Sequence, residues 1–174
     1  MRIRKVAAVT MAACLAASAL AGCGSKKSDE KVIKIGVFEP TTGENGGGGY
    51  QEVLGIRYAN EMHPTVNIGG EEYAVKLVEV DNKSDKTEAV NAAQKLVSEK
   101  VSVVLGSYGS GVSIAAGQIF ADAKIPAIGC SCTNPQVTEG NDFYFRVCFI
   151  DPFQGTVMAN YAYQNGAKNA AVIT

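Results

Sequence analysis

The 174-residue chain has no tryptophan, one histidine and few aromatics. That scarcity removes several function classes. His63 is the only imidazole and sits beside Pro64, so neither a histidine-rich metal site nor a Ser/His/Asp triad has the residues it needs. No G-x-S-x-G elbow occurs. Gly46 to Gly49 form four consecutive glycines, but no Lys-Ser/Thr comes after them, which excludes a phosphate-binding P-loop. Gly106, Gly109 and Gly111 spell G-x-x-G-x-G, the wrong order for a dinucleotide fingerprint. Charge of one sign is also missing. The net charge is −1, which leaves no basic stripe for nucleic acid. Glu71-Glu72 reads as solvated loop charge rather than a catalytic pair. With so little catalytic equipment, the chain is read as no enzyme, and no cofactor is expected.

What is present begins with an export signal. Arg2, Arg4 and Lys5 precede an Ala-rich apolar run, Val6 to Leu20, too short and too Ala-rich to be a good transmembrane helix. Leu20-Ala21-Gly22-Cys23 comes next and resembles a bacterial lipobox. That resemblance implies cleavage before Cys23 and lipidation of its sulfur. Residues 1–22 are thus expected to be a signal peptide, and 23–31, small and charged, a lipidated tether. Cys14 leaves with the signal. Cys130, Cys132 and Cys148 remain, either as one disulfide plus a thiol or as three thiols. Cys130 and Cys132 are poorly placed to bond each other, and no metal role is expected for them.

From Val32 onward, apolar runs alternate with helical periodicity. Strands are predicted at Val32–Phe38, Tyr73–Val80, Val101–Leu105 and Pro126–Ile128. Helices are predicted from about Tyr50 to Glu61, with Val53, Leu54 and Ile56 inward, over Glu88–Lys100 after a capping turn at Asn82 to Asp85, and from Val112 to Ala123. This order implies an α/β fold, a Rossmann-like doubly wound parallel sheet covered on both faces. Beyond it, Phe143–Ile150 reads as an aromatic strand. Asp151 is placed as the cap and Pro152 as the first residue of a helix reaching about Asn165. Ala170–Thr174 reads as the start of another strand, which makes the chain an expected fragment of a longer protein.

Two strand-to-helix turns carry the functional expectation. Gly106 to Gly111 succeeds one buried strand, and Cys130 to Asn134 succeeds the next. Each sets a hydroxyl residue at a predicted helix N-terminus, the second with Thr133 or Asn134 before Pro135. Free amides and the helix dipole at such ends attract anions. Neither turn holds Lys or Arg, so a small carboxylate fits better than a polyphosphate. In folds of this kind ligands bind outside the carboxyl ends of the strands.

Six segments share one resemblance: LAGC, GVFEPTTG, VEVDNKSD, VVLGSYGSG, IPAIGCSCTNPQVT and FYFRVCFIDPFQG. In this order they resemble the type I periplasmic binding proteins, in the lipoprotein form of branched-chain amino acid receptors of ABC importers. The resemblance implies two hinged lobes closing on a ligand, with residues 32–148 as lobe one and 149–174 as the crossover and start of lobe two. It implies that Ser110 binds the ligand α-carboxylate, that Thr133 helps hold the amino acid, and that the Ser131 carbonyl accepts from the α-ammonium. Tyr108 and Gly109 are placed at the same pocket. Arg146, Asp151 and Gln154 match a segment at the interlobe crossover and are read as structural. The implied role is capture of a small neutral amino acid and delivery to a membrane permease, by a receptor anchored outside the cell membrane through Cys23. Other readings are an extracellular sensor domain, or a receptor for urea or short amides, on the same fold. An exported enzyme using His63 is a third.

Overall fold

The computed structural model describes residues 31–171. The expected signal peptide, Cys14, Cys23 and nearly all of the tether lie outside the described residues. Six strands form one sheet: β1 (Val32–Glu39), β2 (Thr65–Ile68), β3 (Glu71–Asp81), β4 (Val103–Leu105), β5 (Ala127–Gly129) and β6 (Tyr144–Arg146). The helices are α1 (Gly46–Met62), α2 (Lys86–Ser98), α3 (Ser110–Asp122) and α4 (Asp151–Gln164).

The order across the sheet is β2-β3-β1-β4-β5-β6. β1 pairs in parallel with both β3 and β4, β4 with β5, and β5 with β6. The chain winds outward from β1 in one direction through α1, then returns across it through α2. The crevice where the winding reverses lies beyond the carboxyl ends of β1 and β4. β1 is central, and its last residues, through Glu39, are fully buried. That burial accounts for its β-branched and apolar composition.

The core lies on the side of the sheet that α2 and α3 cover. Asp85 caps α2 by accepting from the amides of Thr87 at 2.8 Å and Glu88 at 2.9 Å, a contact that stabilises a helix by about 1 kcal/mol. Ala89, Ala92, Ala93 and Leu96 form its buried stripe, and the small alanines let α3 pack closely. α3 turns Val112, Ala116 and Phe120 inward. Phe120 meets Phe38 of β1 edge to face, with ring centroids 5.5 Å apart. On the opposite side the sheet is covered, among the described residues, by α1. An apolar hollow of about 700 Å³ opens beside it between Ile35, Val75, Leu77, Leu105, Ile56 and Ala59. The expectation of cover on both faces therefore holds fully for one.

Several elements depart from the sequence reading. α1 starts at Gly46, inside the glycine run, instead of near Tyr50. Glycine disfavours helix by roughly 1 kcal/mol relative to alanine, but Gly46 and Gly49 are buried, and tertiary packing overrides the propensity. Val53 is buried as expected, whereas Leu54 is exposed and Ile56 half-buried. β2 has no counterpart among the predicted strands. It pairs antiparallel with β3 around Gly69-Gly70, both at positive φ, the geometry of a two-residue hairpin turn. Asn134 does cap, accepting from the Gln136 amide at 2.9 Å, but the helix it caps is a single 3₁₀ turn, Pro135–Val137. β6 spans three residues, because β5 ends at Gly129 and leaves the chain past Val147 without a ladder partner. Ile150, not Asp151, occupies the N-cap of α4, and no side chain caps that helix. Ala170 and Ala171 are not in a strand, and residues 172–174 lie outside the described set.

The packing predicts a sharp contrast between two apolar truncations. Phe120→Ala should lower unfolding free energy by about 3–5 kcal/mol, and Leu54→Ala by less than about 1 kcal/mol. Urea unfolding followed by circular dichroism measures both.

Candidate functional site

The turn after β4 is tight and starts buried, at Gly106 and Ser107. Gly106 has φ +119°, and a Cβ there would stand 2.6 Å from Glu39 Oε1, so a side chain is excluded. Four side chains pin the turn from different elements. Tyr144 Oη donates to the Gly106 carbonyl at 2.8 Å. Asn82 Nδ2 donates to Ser107 Oγ at 2.9 Å. The Tyr108 amide donates to Glu39 Oε2 at 2.7 Å. Ser113 Oγ donates to the Gly109 carbonyl at 2.9 Å. α3 then begins with Gly109 at its N-cap, no capping side chain, and neither an acid in its first turn nor a base in its last. Its first intrahelical bond is Ser113 N–H to the Gly109 carbonyl, which leaves the amides of Ser110, Gly111 and Val112 without helical acceptors.

Arg146 organises the second turn. Its Nη1 donates to the carbonyls of Cys132 at 2.8 Å and Asn134 at 2.9 Å. Its Nη2 donates to the Pro135 carbonyl at 3.1 Å and to Thr138 Oγ1 at 2.7 Å. A planar guanidinium is suited to gathering carbonyls that converge from one side. The Asn134 amide donates to Ser110 Oγ at 3.2 Å, so this bond joins the two turns. The Thr133 carbonyl accepts from the Asp151 amide at 3.0 Å, while its hydroxyl makes no hydrogen bond among the described residues. The Ser131 hydroxyl donates to Glu52 Oε1 of α1, and its carbonyl takes no backbone donor among the described residues. Ser110, Ser131 and Thr133 are all half-buried, neither sealed in the core nor splayed on the surface.

Tyr108 and Gly109 stand in the first turn beside Ser110. The Tyr108 ring lies over the glycine run of α1, where a Cβ on Gly48 would come within 2.7 Å of Cε1. The bare helix face at Gly48 is what admits that ring. Cys130, Cys132 and Cys148 are free thiols. Burial, with smaller contributions from Glu52 and Glu39, pushes Cys130 up to about 12. Burial pushes Cys132 up to about 11. Both therefore stay protonated and poorly nucleophilic at neutral pH.

Two acids carry no mark as site residues in the sequence reading. Glu39 is 1% exposed at the end of β1 and Glu52 lies on α1. Oxygens of both and the Cys130 Sγ lie within 4.8 Å of one another. Burial, then hydrogen bonding and charge from Glu52, raise the Glu39 carboxyl to about 9. The available signal for Glu39 is its place: an acid directly after the apolar run GVF in a central strand. Glu52 sits next to core-facing Val53 and has no such signal. Arg146, read as structural, holds the turn after β5 through four hydrogen bonds.

Removing that clamp should loosen one turn and spare the other. Arg146→Ala is expected to shift the amide resonances of Cys132 to Thr138 widely, and those of Ser107 to Gly109 little, in two-dimensional NMR spectra.

Comparison with known proteins places this geometry. A family model described as periplasmic binding protein matches residues 32–174. A Leu/Ile/Val-binding protein homologue from Brucella melitensis is 35% identical over 160 residues, covering 90% of this chain and 42% of its own length. The leucine-binding protein LivK from Thermotoga maritima superposes with a TM-score of 0.72 at 44% identity, over 77% of this chain and 37% of that one. The branched-chain amino acid transporter substrate-binding protein LivJ from Streptococcus pneumoniae, solved with isoleucine, gives 0.69 at 33% identity, over 77% and 38%. The chain thus spans about two fifths of the length of these relatives, 37–42%. With the doubly wound sheet, the turns at its switch point and this match in hand, the chain belongs to the periplasmic binding protein family.

Proposed function

We propose that this chain supplies one ligand-binding face of an extracytoplasmic receptor for a small neutral amino acid, of the branched-chain kind. The observation that carries the reading is the uncapped N-terminus of α3, tied through Ser110 to the turn that bears Thr133. The amides of Ser110, Gly111 and Val112, with the Ser110 hydroxyl, receive the α-carboxylate. The Thr133 hydroxyl completes that cradle. The Ser131 carbonyl accepts from the α-ammonium. Tyr108, over Gly48, forms an apolar wall toward the ligand side chain. The leucine-, isoleucine- and valine-binding relatives support this class of ligand.

Urea and short amides fit less well, because they have no carboxylate to answer the free amides of α3. In the whole protein, closure of a second lobe and delivery to a permease of an ABC importer belong to the same reading. So does an anchor at Cys23 holding the receptor outside the cell membrane.

Titration of the ¹⁵N-labelled protein with leucine, isoleucine and valine tests the reading. Saturable shifts at Ser110, Gly111 and Val112 are expected, with urea and acetamide inert. No shift at these amides with any amino acid at millimolar concentration would overturn it. Ser110→Ala and Thr133→Ala should each weaken binding by about 1–3 kcal/mol, the usual loss for a charge-assisted hydrogen bond, with little change in unfolding midpoint.

A further inference from the structure

Glu39 and Glu52 present a problem of hydrogen-bond accounting. Glu39 Oε2 takes the Tyr108 amide and Glu52 Oε1 takes the Ser131 hydroxyl. Glu39 Oε1 and Glu52 Oε2 are buried and receive no donor among the described residues. Two buried acceptors without donors cost several kcal/mol, and two adjacent carboxylates repel. One proton held between the carboxyls removes both costs, since a protonated carboxyl donates and an ionised one accepts.

We propose that Glu39 and Glu52 act as a single proton-sharing pair that holds the two ligand-facing turns at a fixed spacing. The inference rests on the reading of those turns as the amino-acid site. The chain of contacts is continuous. The Tyr108 amide of the first turn hangs on Glu39, Glu39 meets Glu52, and Glu52 holds the Ser131 hydroxyl of the second turn. Both acids are positioning residues; their outer oxygens are spent on the turns.

His63 lines the hollow that Glu52 lines, and Tyr50 the one beside Glu39, so the Glu39→Gln comparison separates the pair's step from other titrations. Cys130, from the turn after β5, is held protonated up to about 12. Tyr144, from β6, is buried and pushed far above its usual range. Across the neighbouring hollow, Arg57 of α1 and Glu79 of β3 pair with each other at 2.6 Å. Asp81, at the end of β3, is occupied by the Thr41 amide at 2.9 Å and the Thr42 hydroxyl at 2.6 Å. Above about 9 the pair releases its proton to solvent. Two carboxylates then face each other and push the turns apart.

Two readouts test this. The first needs no ligand: the Tyr108 amide resonance followed from pH 6 to 11. It should titrate with a midpoint near 9 and be flat in Glu39→Gln, whose amide supplies a permanent donor to Glu52 and keeps an acceptor for Tyr108. Glu52→Gln should move the midpoint below 9, because it removes the hydrogen bond and charge of Glu52 while burial still raises Glu39, so the test survives if one variant folds poorly. The second is leucine affinity in parent and Glu39→Gln. The two should agree within about threefold at pH 7, and the parent should weaken about tenfold more by pH 10, the loss expected when one tenth of the pair stays protonated. Comparison with the variant cancels titration of the ligand's own ammonium.

Stability should track the same proton. The unfolded carboxyl ionises near 4.5 while the folded one holds its proton to about 9. The pair's contribution is therefore fully present below about 4.5, is lost as pH rises to about 9, and is constant above that. The urea midpoint of Glu39→Gln should rise relative to the parent across that window. Absence of a step at Tyr108, a step that persists in Glu39→Gln, a step left unmoved by Glu52→Gln, or one that shifts on adding EDTA would overturn the proposal. If the step is present and leucine does not bind, the pair stands and the amino-acid reading fails; if leucine binds without the step, the reverse holds.

Discussion

A helix that begins without a cap leaves amide donors with no internal acceptor, and the proposed site depends on α3 keeping them free. Most of the surrounding hydrogen bonds serve that end. Tyr144, Asn82, Glu39 and Ser113 each hold the turn before α3 by a different atom. None of them spends itself on the Ser110, Gly111 or Val112 amides. Asp85 of α2 shows the alternative: a side chain there satisfies its own helix end and closes it to ligands. The contrast between α2 and α3, adjacent in the fold, separates a helix end closed by its own side chain from one left open.

Rigidity at the two turns is supplied from both ends of the chain. β1 contributes Glu39, the end of β3 leads into Asn82, and β6 contributes Tyr144 and Arg146. β1, β3 and β6 run parallel, which brings Glu39, Asn82 and Arg146 to one end of the sheet, and the Tyr144 side chain reaches the first turn from the start of β6. This explains why a site made of small, neutral residues can be well ordered. Its few chemically strong groups, Arg146 and the buried acids, are used to fix backbone and leave recognition to amides, carbonyls and hydroxyls.

The legible part of this architecture is the part with a period or a stop signal. The stripe Val112, Ala116, Phe120 and the capping turn at Asp85 can be read directly, because each is a local pattern with a local cause. The Gly46–Gly49 run cannot. Its helical state depends on packing with Pro40 and the Tyr108 ring, and the ring is distant in sequence. The Gly69-Gly70 hairpin does carry a local signal, two glycines between β-prone runs, that the strand assignment passes over. Phe143–Ile150 misleads for the opposite reason. Its composition favours a strand throughout, but strand length is set by the partner, and β5 stops at Gly129. Ser110, Ser131 and Thr133 are legible as hydroxyl residues of two strand-to-helix turns, and the fold joins those turns through Ser110 and Asn134. Arg146 and Glu39 are only letters until the fold brings carbonyls and a second acid to them.

Neutral residues in the turns and a half-ionised acid pair behind them make one electrostatic arrangement. A zwitterion carries no net charge, so a cation at the carboxylate end would favour plain acids over amino acids. The amides of α3 provide partial positive charge without that bias. At the other end, the Ser131 hydroxyl rests on Glu52, so the pair's single negative charge lies on the side where the proposed ammonium is received. Two negative charges there would be costly to bury. Sharing one proton between Glu39 and Glu52 leaves one unit of charge behind the turns instead of two that repel. The proton retained by Glu39 then serves the spacing of the turns, and recognition stays with their amides, carbonyls and hydroxyls.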